Sequence, residues 1–381
     1  MRKIFIGIVL WAATAACKEK YDLPYTGPAA GYLVVDGVIN SGQGPTSFRI
    51  TRTVALVDSV NIRNEVLAHV EVEGEDNSHQ VLSETSPGLY RADQLTLQDG
   101  VKYRLRIQTD DGKVYLSDYR PARKTPAIDS LPWERTDDGL TLFVNTHDPQ
   151  NNTHYYRWEF EETWEFHSSF WSLIRYEYDG PDRVIDVDPR PASEAEKMYK
   201  CWQSSRSTAI LIGSSTKLSR DTIHLPFHFI ERPSWKLSVL YSILVRQYAI
   251  SREGYEFLQR MKKNTEQVGT LFDAQPSELV GNIRCESDPS EPVIGFVEVT
   301  EAKEKRIFIR NAEVAPWVYS TGCQQLNVPN DPDSLTEWRA MMPTDVSELS
   351  MRGDTLRIFI AAPVCVDCTM RGTNTKPDFW P

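Results

Sequence analysis

The chain has 381 residues, with 42 Lys and Arg against 53 Asp and Glu and a formal net charge of −11 at pH 7. Hydrophobic residues make up 40% and aromatic ones 10%, enough apolar material for more than one core. The acidic balance leaves no basic footprint for nucleic acid and no electrostatic reason to adsorb on an anionic membrane, so neither is expected as a partner surface.

At the start of the chain, Arg2 and Lys3 precede an apolar run from Ile4 to Ala13, and Thr14, Ala15 and Ala16 are small residues before Cys17. That order is expected of a processed export signal over 1–16, and the apolar run is too short for a permanent membrane span. Small residues ahead of a cysteine resemble the bacterial lipobox, which implies a diacylglycerol thioether on Cys17 and cleavage before it. Burial of acyl methylenes is worth about 0.8 kcal/mol each, so such an anchor needs no help from the protein surface. Residues 17–30 then read as a tether. Lys18-Glu19-Lys20 is a diluted match to the acidic surface-export signal of Bacteroidota lipoproteins, which implies outward display.

From Tyr32 onward the hydrophobic period is mostly two, the pattern of strands with one buried face. Expected strands are Tyr32 to Val35, Phe48 to Ile50, Val66 to Val72, His79 to Leu82, Tyr103 to Ile107 and Val114 to Leu116, separated by turn residues such as Ser86-Pro87-Gly88. They define an N-terminal Ig-like β-sandwich over 31–122. Pro121, Pro126 and Pro132 interrupt the pattern, and a second β-rich domain is expected over 127–314.

In that second region Tyr156, Trp158, Phe160, Trp164 and Phe166 hold the even positions, with Arg157, Glu159, Glu161 and Glu165 on the odd ones. Core packing explains the apolar face. Phe170, Trp171, Tyr176 and Tyr178 lie beyond the alternation and are the candidates for ligand binding through aromatic contact. Strands are expected at 208–213, 223–230 and, as one long element, at 236–250. The period then changes. Ser251 reads as an N-cap and Glu253 suits the positive end of a helix dipole, giving one amphipathic helix near 252–267. Strands at 293–299 and 307–309 complete the domain. The remainder, 315–381, reads as a loop-rich segment packed on the second domain, with 356–361 extended. The fold class is thus mainly β, as two β-sandwich-like domains with one helix and a disulfide-stapled C-terminal segment.

Five cysteines follow Cys17: Cys201, Cys285, Cys323, Cys365 and Cys368. Beyond the inner membrane disulfides persist, and an odd number leaves one unpaired or shared. Cys365-Val-Asp-Cys368 has the spacing of half a zinc ribbon or of a redox pair. No second such pair exists to complete a zinc site, and no helix is expected after 356–361 to carry redox chemistry, so structural disulfides are the expectation.

Motifs for catalysis are missing: there is no His-Glu-x-x-His, Gly-x-Ser-x-Gly, phosphate loop or dinucleotide fingerprint. His224 and His228 would share one face of a strand, but two such positions stand roughly 13 Å apart, too far for one ion without a bend. Asn330 to Ser334 offers oxygen ligands, yet Pro332 breaks the calcium-loop spacing and a solvated acidic turn is the expectation. A carboxylate pair for glycoside hydrolysis could come from Glu159, Glu161 or Glu165 only if the fold set it at the right separation. No enzyme activity, metal site or cofactor is therefore expected.

Several stretches resemble the DUF4249 family of Bacteroidota outer-membrane lipoproteins: Tyr241 to Tyr248, Tyr255-Glu256-Phe257, Lys263 to Glu266, Leu271-Phe272-Asp273, Gln275-Pro276-Ser277, Gly281-Asn282-Ile283, Glu291 to Gly295, Lys305 to Ile309, and the closing run from Cys365 to Trp380. The resemblance implies an accessory role beside a TonB-dependent outer-membrane transporter and carries over no catalytic residue. A structural or adhesive envelope module without a small ligand is the alternative, and an unrecognised hydrolase a more remote one. Five Asp-(Ser/Thr)-apolar triplets, placing hydroxyls at Ser59, Ser130, Thr222, Ser334 and Thr355, resemble a Bacteroidota O-glycosylation motif. Average composition would give about one. Thr222, ahead of a strand, is the one expected to be buried.

Overall fold

The computed structural model describes residues 31–54, 62–266 and 279–381. The export signal, the 17–30 tether, Cys17, Ser59 and position 267 at the expected helix end lie outside the described residues. The fold is mainly β, with cores on the expected inward faces.

In the N-terminal unit, alternating residues of Leu33–Asn40, Thr46–Arg52, His69–Gly74, Lys102–Gln108 and Val114–Ser117 point inward and meet in one core around Phe48, Tyr90, Tyr103 and Tyr115. The sheet is a curled antiparallel path that also includes His79–Ser86 and Leu89–Ala92. Its two ends correct the expected domain division. Ile283–Cys285 pairs with Val114–Ser117, while Val293–Gly295 and Val299–Thr300 pair in parallel with Leu33–Asn40. The chain therefore returns to the first unit after the helix, although these segments fall within the 127–314 range expected of the second domain. Their short apolar runs specify burial but not partner. Gly281 and Gly295 sit where this return is tightest: a Cβ on Gly281 would stand 1.7 Å from the Gly295 carbonyl oxygen.

The second unit is a true two-sheet sandwich. Gly139–His147 is the centre of one sheet, pairing with Thr222–Glu231 along one edge and with Ile128–Ser130 and Trp133–Arg135 along the other. Tyr155–His167, Leu240–Ala249, Lys200–Arg206, Lys303–Arg310 and Leu211–Ser214 form the other. Leu140, Leu142 and Val144 face Trp158, Tyr241, Ile243 and Val245 across the interior, all at 1% exposure or less. The indole of Trp158 donates to Gln247 at 2.8 Å, and Gln247 in turn donates to Thr146 Oγ1 at 2.9 Å, so these three polar side chains are paired inside the core.

Two expectations fail here for local reasons. The long strand read over 236–250 begins instead with a short 3-10 turn, Trp235–Leu237, capped by Ser234, and the strand proper is Leu240–Ala249. In Thr222–Glu231 a bulge sets Leu142 opposite His228 but Phe143 opposite Pro226. The extra residue inverts the alternation, so His224 points outward beside Asn145 and Phe143, whereas His228 points inward. The two histidines do not share a face.

The amphipathic helix is Arg252–Glu266, with Ser251 Oγ accepting from Gly254 N at 3.0 Å as its N-cap. The C-terminal segment holds a three-stranded sheet, Gln325–Pro329, Thr355–Ala361 and Met342–Leu349. With the hairpin Ile174–Tyr178 and Val184–Pro189 it encloses a small separate core around Val184, Leu335, Ile358 and Ile360. Asn330 to Ser334, expected as an acidic turn, is the entry to the short helix Pro332–Glu337, with Asp331 accepting from Ser334 N. A one-turn helix, Pro363–Val366, does follow Thr355–Ala361, contrary to expectation. It carries no dithiol pair, because Cys365 is bonded to Cys323 and Cys368 to Cys201. Cys285 is the free cysteine among the described residues, buried in the N-terminal core as a small apolar side chain.

Candidate functional site

At one end of the sandwich the strand Tyr155–His167 runs out through Ser168, Ser169 and Phe170, facing the Trp235 turn and the loop 318–323. These three segments bound a cleft of about 600 Å³. Its aromatic side is Phe170, Trp235 and Tyr319 over the buried Phe166, and Ser169, Ser238, Ser320 and Thr321 supply hydroxyls along its lining, while the buried Ser168 donates to Met198 O at 2.9 Å.

The rings are fixed from behind. Trp235 meets Phe166 edge-on at a centroid distance of 4.5 Å and Trp164 at 5.7 Å, and it stacks with Tyr319 at 6.5 Å. The guanidinium of Arg371 lies over Phe166 at 5.2 Å and over Trp235 at 5.4 Å, a cation–π brace supplied by the C-terminal segment. The loop is fixed covalently through Cys323–Cys365, and Ser169 Oγ donates to Thr321 Oγ1 at 2.7 Å across the cleft. The arrangement is a half-open aromatic wall with a hydroxyl rim, a surface that can stack on a flat apolar face and hydrogen-bond its edges.

Beneath the wall lies a charge cluster that the sequence reading passed over. Glu162 occupies an even position of its strand and so faces the core. Its carboxylate takes Lys236 Nζ at 2.5 Å, Tyr241 Oη at 2.9 Å and His228 Nε2 at 3.1 Å. Burial pushes the Glu162 carboxyl up, but the bonds from His228 and Lys236 outweigh it and hold the group below its ordinary value. Burial and the neighbouring carboxylate push the Tyr241 phenol far up, so it stays a donor. Lys236 Nζ also stands 4.9 Å over the Trp164 ring. Its position directly after Trp235 ties the cleft to this anchor.

Of the four aromatic candidates, Phe170 lines the cleft. Trp171 lies outside it, stacked on Tyr199 at 3.9 Å. Tyr176 and Tyr178 are on the hairpin Ile174–Tyr178, where Tyr176 packs on the C-terminal core and Tyr178 is exposed. The sequence missed Trp235 and Tyr319 because they come from turns far apart in the chain, with no period to mark them.

The three acidic candidates are each engaged with a cation. Glu159 pairs with Arg157 at 2.6 Å and Glu161 with Arg206 at 3.3 Å. Glu165 takes His167 Nε2 at 3.0 Å, Lys200 Nζ at 3.4 Å and Trp380 Nε1 at 3.0 Å. Burial raises the Glu165 carboxyl, and the bonds from His167 and Trp380 bring it below its ordinary value. Among the hydroxyls of the Asp-(Ser/Thr) triplets, Thr222 is exposed, against expectation, because its strand starts with the side chain on the outer face. Ser130 and Thr355 are half-buried at strand ends, and Ser334 donates to Asp331 at 2.8 Å.

No curated protein matches the chain. A family model described as a domain of unknown function (DUF4249) matches residues 18–306, from ahead of the first β-unit to within the strand Lys303–Arg310 of the second. By that match over most of its length, the chain belongs to the DUF4249 family.

Proposed function

We propose that this protein is an outer-membrane lipoprotein, anchored through an acylated Cys17 and displayed at the cell surface, that holds a sugar or peptide ligand for a TonB-dependent transporter. The observation that carries the binding role is the cleft of Trp235, Tyr319, Phe166 and Phe170, whose rings are braced and whose rim is hydroxylic. Ordered rings bind at low entropy cost, and rim hydroxyls suit a polar ligand. A binding role without catalysis is supported by the engagement of Glu159, Glu161, Glu162 and Glu165 with cations; Glu165, the partner of His167 at the cleft, is also held by Lys200 and Trp380. Lipid anchoring is supported by the residues around Cys17, and no described helix is long and apolar enough to cross a membrane. O-glycosylation at the exposed Thr222 triplet belongs to the same reading.

Tryptophan fluorescence of the mature chain, titrated with oligosaccharides and short peptides, tests the binding role. A saturable change that disappears in Trp235→Ala supports it, and a ligand whose binding ignores Trp235 sinks it. Mass spectrometry of the native N-terminus tests the anchor: the expected species starts at an acylated Cys17. Recovery from mild detergent without a barrel partner would count against the transporter association.

A further inference from the structure

The outer face of the N-terminal sheet carries a second polar constellation, distant in sequence from the cleft. His69, Glu71 and Glu73 are alternate residues of one strand and share its outward face. His79 stands opposite Glu73 on the next strand, and on the other side Arg104 stands opposite Glu73 and Arg106 opposite Glu71. Ligand atoms of Glu71, Glu73 and His79 lie within 4.8 Å of one another.

We propose that Glu71, Glu73 and His79, with His69 beside them, form a binding site for a divalent transition-metal ion of the zinc or copper class. The first argument is spacing. His79 Nδ1 stands 3.4 Å from Glu71 Oε2 and 3.9 Å from Glu73 Oε1, and His69 Nε2 stands 3.7 Å from the same Glu71 oxygen. These separations are long for direct hydrogen bonds. They match the edges of a coordination tetrahedron, because metal arms of about 2.1 Å set donors about 3.4 Å apart.

The second argument is orientation. Arg106 Nη1 holds Glu71 Oε1 at 3.0 Å and Arg104 Nε holds Glu73 Oε2 at 2.7 Å. The shortest arginine bonds go to the far oxygens, while Arg106 Nε stands 3.6 Å from Glu73 Oε1, so Glu71 Oε2 and Glu73 Oε1 are the oxygens turned toward the imidazoles. This is the outer-shell support that fixes ligating carboxylates in metal sites. The carboxylates are only 12% and 10% exposed although they sit on an outward face, whereas the two imidazoles are half-exposed and leave an entry path.

Charge decides the class of ion. Two arginines offset two glutamates, so a hard cation that depends on carboxylate charge, such as calcium, gains little. Imidazole nitrogen is what remains to discriminate, and it favours zinc and copper. The sequence conceals this site because its donors come from two strands joined by a turn and their alternation reads as an ordinary solvated face.

Zinc alone, titrated into chelator-treated mature chain in competition with a chromogenic chelator, tests the site. One equivalent should bind, calcium should not displace it, and His79→Ala should weaken binding about tenfold or more. His147→Ala, which removes an imidazole paired with Asp129 at 2.7 Å elsewhere, should leave zinc binding unchanged. Zinc should also raise the melting temperature of the parent chain and not of His79→Ala. His79→Asn serves as a second variant if the alanine form is unstable. Failure to bind one equivalent, or binding indifferent to both His79 substitutions, overturns the proposal.

Discussion

The N-terminal unit and the C-terminal subdomain are each completed by residues from far along the chain, yet they are closed by different means. The first takes back the segments 283–285, 293–295 and 299–300 and holds them with sheet hydrogen bonds and a core of nineteen buried side chains among the described residues. It contains a buried cysteine, Cys285, that is not bonded. The second has six buried side chains in its own core among the described residues; Cys201–Cys368 ties its lower end to the central sandwich, and Cys323–Cys365 staples its own loop to the helix Pro363–Val366. A small core cannot offset the entropy of ordering its chain, so covalent closure substitutes for burial where burial runs short.

The central sandwich supports both, so its interior gives the largest expected effect. Glu162→Gln removes the charge that pairs with Lys236 and His228 in a nearly closed site, at a cost of about 4 kcal/mol by denaturant unfolding. The sign with pH follows. Glu162 has a depressed folded-state pKa, so its contribution is present above the unfolded value near 4.5 and is lost as pH falls through the lower folded value. The parent chain should lose stability on acidification, and Glu162→Gln should show a flatter acid profile. An unchanged profile would mean that Glu165 and Glu291, also depressed, dominate instead.

Next in size is the covalent latch. Cys323→Ser with Cys365→Ser opens a loop with a sequence separation of 42, at a cost of about 3 kcal/mol. Protease cleavage should then move into 318–361 while the N-terminal unit stays resistant. Equal loosening of both units would break the contrast between them. Gly281→Ala probes the other closure. A Cβ there would meet the Gly295 carbonyl, and the backbone shift needed should cost about 2 kcal/mol, read as faster alkylation of Cys285 with no change at the disulfides.

The same contrast shows what the sequence could and could not convey. Alternation identified the inward faces of Gly139–His147, Tyr155–His167 and Lys102–Gln108, because burial of one side of a strand is a local property. Pairing is not local. The run at 293–299 reads as an apolar strand that either unit could take, 283–285 is too short to read at all, and only the fold assigns both to the first. The bulge before His228 is a one-residue change of register that no composition marks, and it sets on opposite faces two histidines whose four-residue spacing would put them on one. Glu162 was passed over for the converse reason: a charge on an apolar face breaks the pattern, and its partners come from a turn and two other strands. The cleft combines a strand exit, a turn and a disulfide-held loop, so of its aromatic residues only Phe166 and Phe170 are marked by the sequence pattern.

The smallest expected effect tests how the helix is joined to the returning segment. Ser251 caps Arg252–Glu266 through Gly254 N, and its backbone N and hydroxyl both donate to Glu298, which lies beside the strand Val299–Thr300 that pairs with the N-terminal unit. Burial pushes the Glu298 carboxyl up, against the bonds from Ser251, so the charged form is held there at a cost that those bonds reduce. Ser251→Ala should therefore lose about 1 kcal/mol as a cap. Because it also strips a hydroxyl donor from Glu298, the carboxyl should rise further and the loss should grow with pH, being smallest where Glu298 is protonated in both forms. A purely local cap would give a loss independent of pH over the same range, and melting curves of the two proteins at pH 4 and pH 7 distinguish these cases. A pH-dependent difference would tie the helix N-terminus to the latch of the first unit through one shared carboxylate.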